Sequence, residues 1–307
     1  MIIIDYSAIS ISAIIMAIKL EKVSVTDSFC KHMILNSIRG YNSKWKYKYG
    51  PIWIACDVGK SWRKNAYQYY KANRQKGRDD SDIDWDMIFG VMNQMMVDLP
   101  LHFGYHVISE PGAEADDIIG VMARMATQHR IPSIIVSNDK DFPQLHSEYV
   151  CQYRPKDKKI HCIDNPKDYL KEHIIKGDAG DGIPNIFSPD DVFVRSDIRQ
   201  GKVTAKRLTE YMGLDPMHIT DSQIKQNYFR NMNMIDLAKT PEQLINKINE
   251  TMASSSPIGN QKTIMKWLTE NRMRILLSRI QDFIYELHYD NHSRPTERGT
   301  SSAECQT

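Results

Sequence analysis

Short apolar runs punctuate the first 150 residues, and between them apolar positions recur at helical spacing. MIII, PIWIAC and PSIIVSN read as strands covered on both faces, because each is nearly continuous in apolar residues and bounded by polar ones. YHVIS and YVCQYR add two more strands. Residues 7–20, 26–39 and 86–99, and the run EADDIIGVMARMATQH, carry the three- and four-residue spacing of packed helices. Such alternation predicts an α/β fold with a mostly parallel central sheet flanked by helices. From about 166 the strand signal fades, and helices separated by Gly, Pro and Asp turns take over. The expected division is an α/β core over 1–165, a helical part over 166–290, and a polar tail over 291–307 that has almost nothing to bury.

Three of the strand runs stop at an aspartate: Asp5, Asp57 and Asp139. Open α/β sheets hold their ligands at the carboxyl ends of strands, so these acids are expected to converge. GAEADD supplies Glu114, Asp116 and Asp117, SNDKDF adds Asp141, and GDAGDGIPN adds Asp178 and Asp181. Each cluster alone has a plain structural use, as a helix cap or a turn former. Acids at three strand ends, one helix start and one glycine turn are harder to explain that way. Their mutual repulsion calls for protons or hard divalent cations.

Charge points to the ligand. The 40 Lys and Arg against 38 Asp and Glu give +2, but without those nine acids 40 basic residues face 29 acidic ones. A balance of +11 outside the acid cluster suits nucleic acid. Cys30, Cys56, Cys151, Cys162 and Cys305 form no CxxC pair, so neither a zinc site nor a disulfide is expected, and a reducing compartment fits. The N-terminal apolar stretch lacks the basic start of a secretory signal, and no run is long enough to span a membrane. An intracellular protein follows. An EF-hand loop from Asp139 fails at Gln144 and Val150, and a DxDx[TV] phosphatase fails at Phe142.

IIID, ACD with a basic helix, EADD, SNDKDF and GDAGDGIPN, in that order, resemble the flap endonuclease or 5′ nuclease superfamily. HMILNSIR, SWRKNAYQYYKANRQKGR and NMNMIDLAKTPEQL are similar to its bacteriophage ribonuclease H branch. The resemblance implies a PIN-like nuclease core with an arch helix at about 60–90, and a helical C-terminal domain containing a helix-three-turn-helix. It implies two Mg2+ ions, with Mn2+ able to substitute: one at Asp5, Asp57, Asp116 and Asp139, a second at Asp141, Asp178 and Asp181, and Glu114 and Asp117 between them. In the arch, Arg63, Tyr67, Lys71 and Arg74 follow at helical offsets and are expected on one face, with Lys64 beside it. Lys64 and Lys71 are the expected catalytic cations, Arg63 and Arg74 the phosphate holders, Tyr67 a further nucleic-acid contact, and the polar segment 72–82 the crown. Lys202, Thr204, Lys206 and Arg207 in GKVTAKRL are expected to grip duplex backbone at a helix start.

The stretch from Ile186 to Gln200 separates GIPN from GKVTAKRL, where many relatives join them directly, which leaves a K+ ion at the helix-three-turn-helix open. The implied activity is 5′-3′ exonuclease and flap endonuclease hydrolysis by a monomer, removing RNA primers and short flaps in DNA replication. Its substrates would be duplex and branched DNA and RNA/DNA hybrid. A single-stranded-DNA-binding protein is a candidate partner, whereas a sliding clamp is unsupported because the tail has no clamp-binding box. Two alternatives stay open: a PIN-type ribonuclease, and a non-catalytic, structure-specific DNA-binding paralogue.

Overall fold

The computed structural model describes residues 1–21, 25–72 and 83–285. Its strands are β1 (Ile2–Asp5), β2 (Ile52–Cys56), β3 (His106–Ser109), β4 (Ser133–Val136), β5 (Val150–Arg154) and β6 (Lys159–His161), in the sheet order β3-β2-β1-β4-β5-β6. All neighbours run parallel except β5 and β6. The helices are α1 (Tyr6–Glu21), α2 (Asp27–Tyr49), α3 (Trp62–Ala66), α4 (Trp85–Asp98), α5 (Ala115–Gln128), α6 (Pro166–Lys176), α7 (Ala205–Gly213), α8 (Ser222–Ile235), α9 (Glu242–Ser254), α10 (Gln261–Glu270) and α11 (Arg274–Leu277). The expected mostly parallel sheet flanked by helices is what forms.

Strand alternation divides the apolar residues between two faces. Ile2, Ile4, Ile52 and Ile54 pack with Ile34, Leu35 and Ile38 of α2 and Ile88, Met92 and Met95 of α4. Ile3, Ala55 and Ile135 face the other way, onto Ile118, Ile119 and Met122 of α5. The chain therefore leaves β1 on one face of the sheet and enters β4 from the opposite face. A crevice opens at their carboxyl ends, where strand order reverses.

The C-terminal helices return to this sheet. Trp267, Leu268 and Leu276 join the first core, and the Trp267 indole donates to Asp98 Oδ2 at 3.1 Å. Ile248 and Met252 of α9 join the second. A third core gathers Ile174, Ile175, Ile183, Ile186, Tyr228 and Ile235 around Tyr67 and Tyr70. The stretch MKWLTENRMRILLSRIQDF packs against the body as two helices, α10 and α11, broken at Arg272, whose φ is 58°.

The cysteine expectation is corrected. Cys151 and Cys162 form a disulfide, with Cα atoms 5.0 Å apart. Gln152 pairs with His161 across the β5–β6 hairpin, so the two cysteines stand opposite each other one position out. β6 is only three residues long and mostly exposed, so the apolar pattern does not announce it, and without it the pairing is invisible. Cys30 and Cys56 are buried free thiols. Among the described residues no helix is long and apolar enough to cross a membrane.

Candidate metal centre

The reversal in strand order brings the acids of three neighbouring strands together. Asp5, the last residue of β1, accepts from Ser137 Oγ at 2.8 Å and from the Ala8 amide at 3.2 Å. Asp57, just past β2, accepts from the Ala115 amide at 2.8 Å, which ties it to the start of α5. Asp139, past β4, accepts from the Asp141 amide at 2.8 Å, and its own amide donates to Ser137 Oγ at 3.0 Å. Ser137 thus links two strand ends. Asp5, Asp57, Glu114, Asp116 and Asp139 line one cleft of about 540 Å³, together with Lys64 and Lys71.

Crowding shows in the proton affinities. Burial pushes Asp5 up to about 7, against the Ser137 hydrogen bond, and the Asp57 and Asp139 charges add to the rise. Burial also raises Asp116, with Asp139 the largest charge acting on it. Asp139 is raised by burial and by Asp181 and Asp178. Asp141 is raised well above the carboxylate range by burial, then by Asp139, Asp178 and Asp181. Acids that hold protons for want of a counter-charge are the donor set a hard divalent cation takes.

Asp141, Asp178 and Asp181 form the neighbouring group. Asp178 caps its own turn, accepting from the Gly180 amide at 2.8 Å, and pairs with Lys140 at 2.8 Å. Asp181 accepts from Tyr70 Oη at 3.1 Å and lies 3.7 Å from Lys71 Nζ. Glu114 accepts from the same two side chains, at 2.7 Å each. Tyr70 and Lys71 therefore bridge the two acid groups. Burial and then the Asp181 and Glu114 charges raise Tyr70, so it stays a phenol and a donor. One ligand atom from each of Asp141, His173 and Asp178 lies within 4.8 Å of the others, and His173 was not foreseen.

Three expectations are corrected. Asp117 is fully buried and faces away from the cleft: Oδ2 accepts from Arg63, Trp62 and the Glu114 amide, and Oδ1 from Thr240 Oγ1. Its oxygens are occupied, so it holds α5 in place and is not a direct ligand. Arg63 is 1% exposed, with Nη1 on Asp117 and Glu114 at 2.9 and 3.2 Å and Nε on the Met234 carbonyl. It is an internal strut, out of reach of a phosphate. Tyr67 is also buried, its hydroxyl donating to the Asp190 carbonyl at 2.7 Å.

These side chains do not share a helical face, because α3 stops at Ala66, Tyr67 is extended, and Lys71 has a φ of 56°. Lys64 is exposed at the cleft, while Lys71 points in at Glu114. Arg74 and most of the expected crown lie outside the described residues.

Farther along, Lys202, Thr204, Lys206 and Arg207 are exposed at the start of α7, where Thr204 Oγ1 accepts from the Arg207 amide at 3.3 Å. The stretch from Ile186 to Gln200 does not part the two halves. Asn185 Nδ2 donates to the Gly201 carbonyl at 2.8 Å, and the Gly201 amide donates to Ser188 Oγ at 2.9 Å.

Similarity to known proteins follows the same map. The family model described as 5'-3' exonuclease, N-terminal resolvase-like domain, matches residues 11–174. Ribonuclease H of Enterobacteria phage T4 is 30% identical over 262 residues, 80% of this chain and 83% of its own. A 5'-3' exonuclease of Mycoplasma pneumoniae is 28% identical over 160 residues, 46% of this chain and 50% of its own. Among solved structures, the T5 5'-exonuclease with bound divalent metal ions (zinc) superposes with a TM-score of 0.59 at 13% identity, covering 82% of this chain and 98% of that one. A T5 flap endonuclease complex with DNA and metal ions gives 0.58 at 14% identity, over 82% and 97%. With a matching model across more than half its length and a phage relative along most of it, the chain belongs to the 5′-3′ exonuclease family.

Proposed function

We propose that this nuclease is a Mg2+-dependent 5′-3′ exonuclease and flap endonuclease that removes RNA primers and short 5′ flaps by a two-cation mechanism. The observation that carries the reading is the convergence of Asp5, Asp57, Glu114, Asp116 and Asp139 on one cleft that also holds Lys64 and Lys71. The donors are carboxylate oxygens whose repulsion needs a cation, and lysine ammonium groups already sit among them, so the residues fit divalent ions. Bound cations would supply Lewis-acid polarisation of the phosphate and lower the pKa of the attacking water. Asp5, Asp57, Asp116 and Asp139 would hold one, and Asp141, Asp178 and Asp181 the other, with Glu114 between.

The chain's own side chains do the rest. Lys64, exposed at the cleft rim, orients and neutralises the attacked phosphate, and Lys71 lies deep enough to meet the charge that develops on it. Lys202, Thr204, Lys206 and Arg207 would hold duplex backbone, so 166–290 is read as the duplex-binding part, although it also lends Asp178 and Asp181 to the centre and its last helices to the sheet cores. RNA/DNA hybrid and branched DNA as substrates, a monomeric state and an intracellular setting complete the proposal. A phage relative named ribonuclease H and a fold neighbour solved with DNA support it.

The test is cleavage of an end-labelled 5′ flap, a nicked RNA/DNA hybrid and a single strand, in Mg2+ and in EDTA. Asp139→Asn is expected to lower the Mg2+-dependent rate by at least about a hundredfold. Wild-type cutting in EDTA, or undiminished cutting by the variant, would refute the assignment.

A further inference from the structure

His173 stands on α6, five positions before Asp178, and is 9% exposed. Neither of its ring nitrogens has a hydrogen-bond partner, and neither has Asp141 Oδ1, which is also buried. Nδ1 lies 3.3 Å from that Asp141 oxygen, and Nε2 lies 3.8 Å from Asp178 Oδ2. Three orphaned polar atoms in one buried pocket are uncommon, because buried polar groups nearly always find partners. The Tyr169 ring, 6.1 Å away edge-on, helps fix the orientation of the imidazole. Lys140 reaches only the other oxygen of Asp178, Oδ1, from a side chain that is 54% exposed, and leaves Oδ2 to the His173 side.

The spacing suits a shared ion. A divalent cation bonded at about 2.0–2.2 Å to nitrogen and oxygen holds its ligand atoms roughly 3–4.4 Å apart. A single ion takes one ring nitrogen: Nδ1 and Asp141 Oδ1 fall in that span, and one ligand atom from each of Asp141, His173 and Asp178 lies within 4.8 Å of the others, which brings the third ligand near it. Ligand type then sets the choice of ion: carboxylates alone suit Mg2+, while an imidazole nitrogen favours borderline cations such as Zn2+.

We infer that His173 is a nitrogen ligand of the second cation, joining Asp141 and Asp178, and that it makes this half of the centre prefer a borderline divalent ion over Mg2+. The catalytic use of that ion rests on the nuclease reading above, whereas its binding does not.

Zn2+ and Mg2+ are the probes, titrated separately by calorimetry into the EDTA-stripped full chain without DNA. His173→Gln is expected to weaken Zn2+ at least about tenfold while moving Mg2+ less than about threefold. An equal loss for both ions, as a packing role would give, or an unchanged Zn2+ affinity, overturns the inference. A second measurement needs no variant. In 15N-histidine-labelled wild type, one equivalent of Zn2+ is expected to shift a ring-nitrogen resonance of the histidine that shows contacts to Tyr169. No response from that ring overturns the assignment even if the variant does not fold. Mg2+-dependent flap cleavage is scored alongside. Cleavage without a His173 response sinks the ligand assignment alone, and a His173 response without cleavage sinks the nuclease reading alone.

Discussion

A guanidinium buried as deeply as that of Arg63 must keep its carboxylates. Burial works against the charge, but Asp117 and Glu114 raise its pKa above the ordinary arginine value. Arg63→Ala leaves Asp117 charged and unpaired at full burial, so it should cost about 3–5 kcal/mol in urea unfolding. Arg63→Lys should restore only part, since an ammonium cannot make the same fork of contacts. A phosphate contact would instead change DNA affinity and leave stability alone. Asp5 gives a pH test. Its folded pKa of about 7 exceeds the ordinary 3.8, so the unfolded chain releases this proton first. The contribution of this carboxyl to the stability of the metal-free protein should therefore be fully present below pH 4, fall as pH rises toward 7, and level off beyond, read as the difference between wild type and Asp5→Asn. Mg2+ should raise the melting temperature at pH 8 by several degrees and have little effect at pH 5, as read by melts in Mg2+ and in EDTA.

Between elements, the glycine turn after α6 sets the position of Lys71. The Lys71 amide donates to the Asp181 carbonyl at 2.8 Å, and a Cβ on Gly182, whose φ is +73°, would lie 2.7 Å from the Tyr69 carbonyl. Gly182→Ala is expected to cost roughly 1 kcal/mol or more and, by shifting Tyr70 and Lys71, to lower the flap cleavage rate by about tenfold or more. Gly90→Ala is the control, because nothing lies within 4 Å of its added Cβ in α4; it should leave the rate unchanged. The same region shows where sequence reading stops. Asp5, Asp57 and Asp139 are legible because a strand end is a local property, and parallel order then brings neighbouring ends together. Arg63 and Tyr67 mislead because their spacing is helical, while the third core and the Asp190 carbonyl pull the chain into a turn. His173 is silent for a different reason: Asp141 lies 32 positions earlier, and only the packing of α6 beside the β4 end makes them neighbours.

Across the whole molecule the charges separate, with acids gathered at the sheet crevice and exposed cations at the start of α7. DNA affinity should fall steeply with salt, and Lys206→Ala should reduce the salt slope by about one ion without changing Mg2+ binding. A filter-binding series from low to high salt would measure both. Lys71 ties this outer charge to the inner one. Its ammonium sits 2.7 Å from Glu114 and 3.7 Å from Asp181, so an incoming cation would compete with it for the same oxygens. On the two-cation reading, loading would hand a positive charge over from protein to substrate: the ammonium that balances carboxylates without metal would become available to a phosphate. The enzyme would thus be armed in sequence, ions first and strand second. An uncleavable flap should bind more tightly in Mg2+ than in EDTA at matched ionic strength, and Lys71→Ala should reduce the difference.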